Sequence, residues 1–403
     1  MMLMGVTPEL WKRDISSAFR RVPICARHLE FSWVAFWSEG LVWISQHLGM
    51  PFGAVSAVYA WHRVGHALAI IVLCTFRAPL GRYVDDYFGA DRQGVTYTGG
   101  VCLTIVATLL GFPTDDAKNA DNMMRVIVLG AMVIIDWPEK ATRTHIAEDK
   151  AEKWKKVLLG LLASGKCCSQ DAASSAGRLS FSVMASANRV GRAFIKPFYT
   201  QQFAPLSGDA ISEKLAWAMQ WFIVYLDQRP TSLRRGLAQR RLITTWHDAA
   251  GSTRWVAAIL RVGDSYLWTR IRTPQHLWDQ LTPREDSQIG FQELLGIVLL
   301  LGTFEQYLAG ALWVSFGDND GITHAIAKGG GHSEESNMTI GKLWLSVASL
   351  DIDLHVARVE SAANIADGPS RDDLSLVREL QATFVEPLLP NWIHDLWHAD
   401  HVR

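Results

Sequence analysis

Beyond Leu242 the chain changes rhythm, and that change limits what it can fold into. A β-type run ends at Asp248, a second follows around Thr253 to Arg261 after a turn at Gly251, and a third lies around Ser265 to Ile271. An apolar helix then covers about Gln292 to Ala309, followed by a strand from Ala311 to Phe316. Helical stretches near Ile322 to Ala327 and Met338 to Ala348, a strand at Asp353 to Val359 and a final helix complete the region to about Leu389. Three successive strands, then alternating helices and strands, predict an α/β layer.

The first half, to about Ile135, reads differently. A strand is expected near Leu10 to Ile15, a helix near Ala54 to Leu73, a hairpin around Tyr83 to Phe88, a helix near Tyr97 to Leu110 and a strand near Arg125 to Ile135. Between the halves, from Glu139 to Arg241, apolar Ile146, Trp154, Leu158 and Leu161 or Leu162 recur at helical spacing, and a second helix is expected over Ala172 to Tyr199. Pro197, Pro205 and Pro230 punctuate the remainder of this middle region.

A chain of 403 residues has room for two or three domains at roughly 150 residues each. With 49% hydrophobic and 20% charged residues it is neither disordered nor a disulfide-stapled scaffold. Five cysteines, an odd number, fit a reducing compartment. The adjacent pair Cys167 and Cys168 is poorly placed to bridge to itself. The longest uncharged apolar stretch, about Thr98 to Pro113, is shorter than the ~18–20 residues of a spanning helix, and the N-terminal MMLMGVTPEL, with no basic region before an apolar run, reads as a poor signal peptide. An intracellular protein of cytoplasm or nucleus, with no membrane span, is expected.

The net charge of −1 hides local patterning. From Ala172 to Gly208 there are four basic residues, Arg178, Arg189, Arg192 and Lys196, and no acidic one. On the expected helix the last three share a face. From Gln228 to His247 there are five arginines and no acid. Such stripes suit phosphate backbones; the alternative is a solvated helix face.

Acids fall at particular places. Asp14 ends the first predicted strand, and Asp85 and Asp86 sit at the tip of the predicted hairpin, where a solvated turn or a divalent metal would explain them. Asp248 and Asp318 end predicted strands, Glu293 begins the apolar helix and Asp367 lies in Asn364-Ile365-Ala366-Asp367-Gly368-Pro369-Ser370-Arg371. Each alone could be turn chemistry or a helix-dipole partner. His394, His398 and His401 could suggest zinc, but no cysteine lies nearby. Gly329, Gly330 and Gly331 follow a helix and read as a flexible loop.

The ordered set Asp14, Phe19, Pro51-Phe52-Gly53, Asp85-Asp86, Leu110-Gly111-Phe112-Pro113, Lys118 and Leu129-Gly130 resembles a reverse transcriptase palm. The stretch Pro-Phe-Gly-Ala-Val-Ser-Ala-Val-Tyr-Ala and Arg63 look most like tyrosine-recombinase retroelements of the DIRS or Ngaro type. The acids Asp248, Glu293, Asp318 and Asp367, with the Ala-Asp-x-x-Ser-Arg ending, resemble an RNase H-like domain. The resemblance implies a partial palm lacking fingers at 1–137, since only thirteen residues precede Asp14, and a helical thumb and connection at 138–241. It further implies an α/β RNase H-like domain with a mixed five-stranded sheet at 242–389 and a tail at 390–403.

By that resemblance Asp14, Asp85 and Asp86, and separately Asp248, Glu293, Asp318 and Asp367, would be catalytic metal ligands, with two Mg²⁺ or Mn²⁺ per site. Phe19 would select deoxynucleotides, Pro51, Phe52 and Gly53 would shape the nucleotide and template pocket, and Leu129-Gly130 would be the primer-grip hairpin. Lys118 would protonate pyrophosphate or be an exposed loop lysine. Arg189, Arg192 and Lys196 would track the template–primer backbone, and His332 is a candidate loop histidine. The implied partners are RNA template, DNA primer, RNA–DNA hybrid and deoxynucleotide triphosphates. The implied function is RNA-directed DNA polymerase with RNase H activity, the polymerase impaired by missing fingers. The alternatives are an RNase H-type nuclease with a non-catalytic palm, or an inactive nucleic-acid-binding relic.

Overall fold

Trp11 and Arg13 point to one side of an extended run while Lys12 and Asp14 point to the other, and this run, β1 (Pro8–Asp14), organises the first half of the chain. It is followed by β2 (Trp33–Ser38), β3 (Leu41–Gln46), α1 (Val55–Phe76), β4 (Gly81–Tyr83), β5 (Asp86–Arg92), α2 (Gly99–Leu109), β6 (Ala120–Met123), β7 (Arg125–Val128) and β8 (Ala131–Asp136). The order β4-β5-β1-β6 forms a four-stranded sheet. Trp11, Ile15, Trp61, Leu68, Val72, Tyr87 and Leu103 form the core between it and the two helices.

The computed structural model describes residues 1, 5–186, 189–228, 232–235 (backbone only), 240–279, 281 and 288–394. It divides into two compact units, Met1–Arg143 and Thr144–Arg403. The strand β9 (Ala141–Ile146) spans the division. His398 and His401, Arg229, and the side chains of Arg234 and Arg235 lie outside the described residues.

Two expectations for the first unit are corrected, and one element is new. The strand expected over Arg125 to Ile135 is two strands, β7 and β8, because Leu129 and Gly130 both take positive φ (51° and 82°), the conformation of a tight hairpin turn. The hairpin β2–β3, unforeseen, turns the same way at Glu39 and Gly40 (φ 53° and 78°). Its Trp33, Trp37 and Trp43 are exposed. The second correction concerns α1, which has 22 residues and is long and apolar enough to cross a membrane by length and composition. Its Ala57, Trp61, Leu68 and Val72 are buried in the first unit's core.

In the second unit, α3 (Glu148–Ser164), α4 (Ser169–Ala185), α5 (Lys196–Phe203) and α6 (Glu213–Gln228) precede β10 (Ser232–Arg235). Then come β11 (Leu242–Ala250), β12 (Trp255–Val262), β13 (Ser265–Arg272), α7 (Gln275–Trp278), α8 (Ile289–Thr303), α9 (Glu305–Leu308), β14 (Leu312–Gly317), α10 (Asp320–Lys328), α11 (Glu334–Ser349), β15 (Asp353–Arg358), α12 (Asp367–Ser370), α13 (Ser375–Glu379) and β16 (Thr383–Phe384). Their sheet has the order β15-β14-β11-β12-β13-β16. The strands β11, β12 and β13 are antiparallel neighbours, while β14 and β15 run parallel to β11. The expected five strands become six because Thr383 and Phe384 pair with Leu267 and Trp268.

The helix α8 packs across β11 and β12 on one face. On the other, α12 touches the same strands over a small core of Ile259, Trp268, Ala366 and Val377. The expected helix over Ala172 to Tyr199 is also corrected. It stops at Ala185, and the chain restarts through Gly191 (φ 90°) and a 3-10 turn, Arg192–Ile195, into α5. Positive φ at Gly191 is incompatible with a continuous right-handed helix.

Candidate functional site

Strand register builds the second unit's acid cluster. The parallel strands β11 and β14 pair Trp246 with Phe316, so Asp248 and Asp318, each two residues further on, emerge side by side. Asp318 leaves the strand just before Asn319 caps α10, its side chain accepting from the Ile322 N–H at 3.1 Å. Asp367, at the first turn of α12, completes a group in which one carboxylate oxygen from each acid lies within 4.8 Å of the others. Hydrogen bonds hold the group in place. Ser370 Oγ donates to Asp248 Oδ2 (2.5 Å) and Asn364 Nδ2 to its Oδ1 (3.3 Å). Ser361 Oγ donates to Asp318 Oδ2 (2.7 Å) and Arg371 Nε to Asp367 Oδ1 (2.8 Å).

Glu293, in the second turn of α8, stands beside this group. It is 4% exposed, and its Oε2 has no hydrogen-bond partner among the described residues. Burial, then the charges of Asp248 and Asp318, push its carboxyl up to about 9, against an opposing hydrogen bond from the Ala249 backbone. Burial likewise raises Asp248 to about 6, opposed by the bond from Ser370. His247 is buried on the opposite face of β11, which presses its pKa down to about 4. A buried carboxylate oxygen without a donor, beside three converging acids, is what a hard divalent cation would satisfy. The donor set is all oxygen, which suits Mg²⁺ or Mn²⁺ and not zinc held by nitrogen and sulfur.

The first unit's acids are arranged otherwise. Asp14 pairs with Asp86 across β1 and β5, and Asp85 sits in the turn after Val84, which takes φ 54°. Burial raises the Asp85 carboxyl, and the charges of Asp14 and Asp86 raise it further. Lysines already engage two of the three. Lys118 Nζ is 3.0 Å from Asp14 Oδ1, and Lys12 Nζ is 2.9 Å from Asp86 Oδ1. Among the described residues these acids do not converge as Asp248, Asp318 and Asp367 do. Phe19 is 9% exposed and meets Phe52 edge to face at 5.3 Å, while Phe52 is largely exposed. Pro51 is half-buried, and Gly53 takes φ 89° in the turn before α1.

The expected basic face of Arg189, Arg192 and Lys196 does not form, because no continuous helix carries them. Arg189 Nε donates to the Ala327 carbonyl, Arg192 Nη1 to the Lys328 carbonyl (3.1 Å) and Lys196 Nζ to the His332 carbonyl (2.7 Å). Cations at the free carbonyls of a helix's last turn, here Ala327 and Lys328 of α10, are favourable. Replacing Arg192 and Lys196 by alanine is expected to lower the unfolding temperature by about 2 °C each. The slope of log affinity against log salt, measured with a short RNA–DNA hybrid, should stay unchanged. A loss of about one from that slope per residue would instead assign them phosphate contacts.

His332 is exposed in the glycine loop. His394 meets His276 with 2.7 Å between ring nitrogens. All five cysteines are free. Sequence reasoning missed the clamps Asn364 and Ser361. Both lie in or beside the stretch that carries Asp367, but nothing in their spacing shows which acid they meet.

No family model matches the chain, and no curated protein does. Among solved structures it is similar to a foamy viral protease-reverse transcriptase in complex with RNA/DNA hybrid. That match has 13% identity and a TM-score of 0.45, and covers 88% of this chain and 44% of that one. A foamy viral protease-reverse transcriptase dRH in complex with dsDNA gives 13% identity and a TM-score of 0.44, over 90% of this chain and 59% of that one. A third, the foamy viral protease-reverse transcriptase in complex with dsDNA, gives 13% and 0.45 over 88% and 68%. The chain thus spans less than half the length of the first of these.

Proposed function

We propose that the second unit is an RNase H-type nuclease that hydrolyses the RNA strand of an RNA–DNA hybrid. The observation that carries this reading is the convergence of Asp248, Asp318 and Asp367 from two in-register strands and a short helix, beside buried Glu293. The same four acids are those of the resemblance. Two bound Mg²⁺ ions would supply an acidified water and charge stabilisation of the leaving 3′ oxygen. Asp248, Asp318, Asp367 and Glu293 would hold them. Asn364 and Ser370 fix both oxygens of Asp248, and Ser361 fixes one of Asp318, so these ligands need little reorganisation. In the reaction water attacks the phosphorus in line and the P–O3′ bond breaks, leaving a 5′-phosphate and a 3′-hydroxyl. An RNA strand is distinguished from DNA by its 2′-hydroxyls and groove shape. A test is Mg²⁺-dependent cleavage of a labelled hybrid by the full chain, beside the same RNA alone and a DNA duplex.

A second activity is supported by the Asp14–Asp86 pairing and the coupled Asp85. It is RNA-directed DNA synthesis from deoxynucleotide triphosphates in the first unit, and with it a retroelement origin. The lysines engaging Asp14 and Asp86 make this the weaker site for metal. Primer extension on an RNA template is expected to be at least a hundredfold slower than hybrid cleavage and to vanish in Asp85→Asn. Extension unaffected by Asp85→Asn would remove these acids from the reaction.

A further inference from the structure

Behind the acid cluster, on the α8 face of β11, a file of polar side chains runs between β11 and β14, each at most 2% exposed. Trp313 Nε1 donates to Thr245 Oγ1 at 2.8 Å, and Thr245 Oγ1 donates to Ser315 Oγ at 3.0 Å. Ser315 Oγ lies 3.3 Å from His247 Nδ1. An indole N–H can only donate, so Thr245 Oγ1 accepts from Trp313. Thr245 gives its own hydrogen to Ser315, and Ser315 gives its hydrogen to His247 Nδ1. Run the other way, Ser315 would donate to Thr245, and the threonine hydrogen would be left without an acceptor in a buried site. With the file run in that first direction, the neutral ring carries its proton on Nε2.

That nitrogen faces the strand end from which Asp318 projects. A Cβ added at Gly317, the residue before Asp318, would sit 2.8 Å from His247 Nε2. On the other side, a Cβ at Gly296 of α8 would sit 2.9 Å from His247 Cβ. Two glycines thus make a slot that the imidazole fills, between α8, which carries Glu293, and the end of β14.

We propose that His247 is a positioning residue for the acid cluster: held as the Nε2–H tautomer by the Trp313–Thr245–Ser315 file, it braces the β14 end and sets Asp318 against Asp248. The proposal rests on the reading of the cluster as a two-metal centre. It concerns orientation, so it predicts an effect on metal affinity before any effect on the rate at saturating metal. Loss of a group that orients metal ligands from outside the coordination shell typically weakens metal binding about tenfold to a hundredfold.

The test uses the full chain. Mg²⁺ binding is measured by calorimetry for the wild type, His247→Leu, His247→Gln and Ser315→Ala, with cleavage measured across Mg²⁺ concentrations in parallel. A long-range ¹H–¹⁵N correlation of the wild type at pH 7 reads the tautomer directly. The expected results are an Nε2–H imidazole, Mg²⁺ binding weakened about tenfold or more in His247→Leu and Ser315→Ala, and recovery in His247→Gln, which keeps a donor near the Nε2 position. An Nδ1–H tautomer would overturn the proposal. So would His247→Leu and Ser315→Ala variants that bind Mg²⁺ like the wild type. Should His247→Leu fail to fold, Ser315→Ala and the tautomer decide. A wild type that binds no Mg²⁺ is a separate outcome: it defeats the two-metal reading itself, and the positioning role falls with it.

Discussion

Asp248→Asn should leave a folded protein whose cleavage of RNA in a hybrid is slower by on the order of a thousandfold or more, about 4 kcal/mol of transition-state stabilisation. Asparagine keeps the shape of the side chain and can still accept from Ser370 or Asn364 through its one carbonyl oxygen. What it lacks is the charge and second oxygen that a divalent ion needs. Because Asp248 and Asp318 sit side by side by strand register, Asp318→Asn should be comparably damaging. Thermal unfolding of both variants without metal should stay near or above that of the wild type, since each relieves repulsion within the cluster. A cleavage rate within tenfold of the wild type in either variant would remove these acids from the chemistry.

The second large effect concerns pH. The Glu293 carboxyl is raised from 4.5 to about 9, chiefly by burial and then by the charges of Asp248 and Asp318. Between those values the unfolded chain releases a proton that the folded chain retains. Metal-free stability is therefore fully present below pH ~4.5 and declines as pH rises toward 9. Asp248, raised from 3.8 to about 6, adds a smaller decline at the lower end of that window. Glu293→Gln removes the larger titration while keeping shape and hydrogen-bonding capacity. At pH 8 in chelator its unfolding temperature should exceed that of the wild type by about 5 °C, and the gap should close as pH approaches 4.5. Adding Mg²⁺ at pH 8 should raise the wild type and leave the variant nearly unmoved. A gap independent of pH would mean that Glu293 does not titrate in this range.

Much of the second unit was legible because its signals are local. Acids at the ends of apolar runs marked Asp248 and Asp318, and the order of strands and helices predicted an α/β layer. What could not be read was register, which alone puts those two acids opposite one another, and the contacts of Asn364 and Ser361. The basic face failed for a physical reason. Apolar residues continue at helical spacing across Val190 and Phe194, but Gly191 with φ 90° breaks the helix; Arg189 and Arg192 turn to carbonyls in the last turn of α10, and Lys196 to that of His332. The β2–β3 hairpin escaped notice because its apolar residues do not alternate with polar ones, so the period-two signal of a half-buried strand is missing. In the first unit the acids were visible, but the lysines that engage them were not. Lys118 is far from Asp14 in sequence, and Lys12 reaches Asp86 only because β1 lies against β5.

On the proposed reading, the second unit cuts RNA paired to DNA by a metal-dependent hydrolysis. The most direct measurement is to incubate the folded full chain with a hybrid carrying label in each strand, with and without Mg²⁺, and to map the products and their ends. Mg²⁺-dependent cuts in the RNA strand alone are expected, leaving 5′-phosphate and 3′-hydroxyl ends, with the DNA strand intact. An RNA strand left uncut by protein shown to be folded and loaded with Mg²⁺ would contradict that reading.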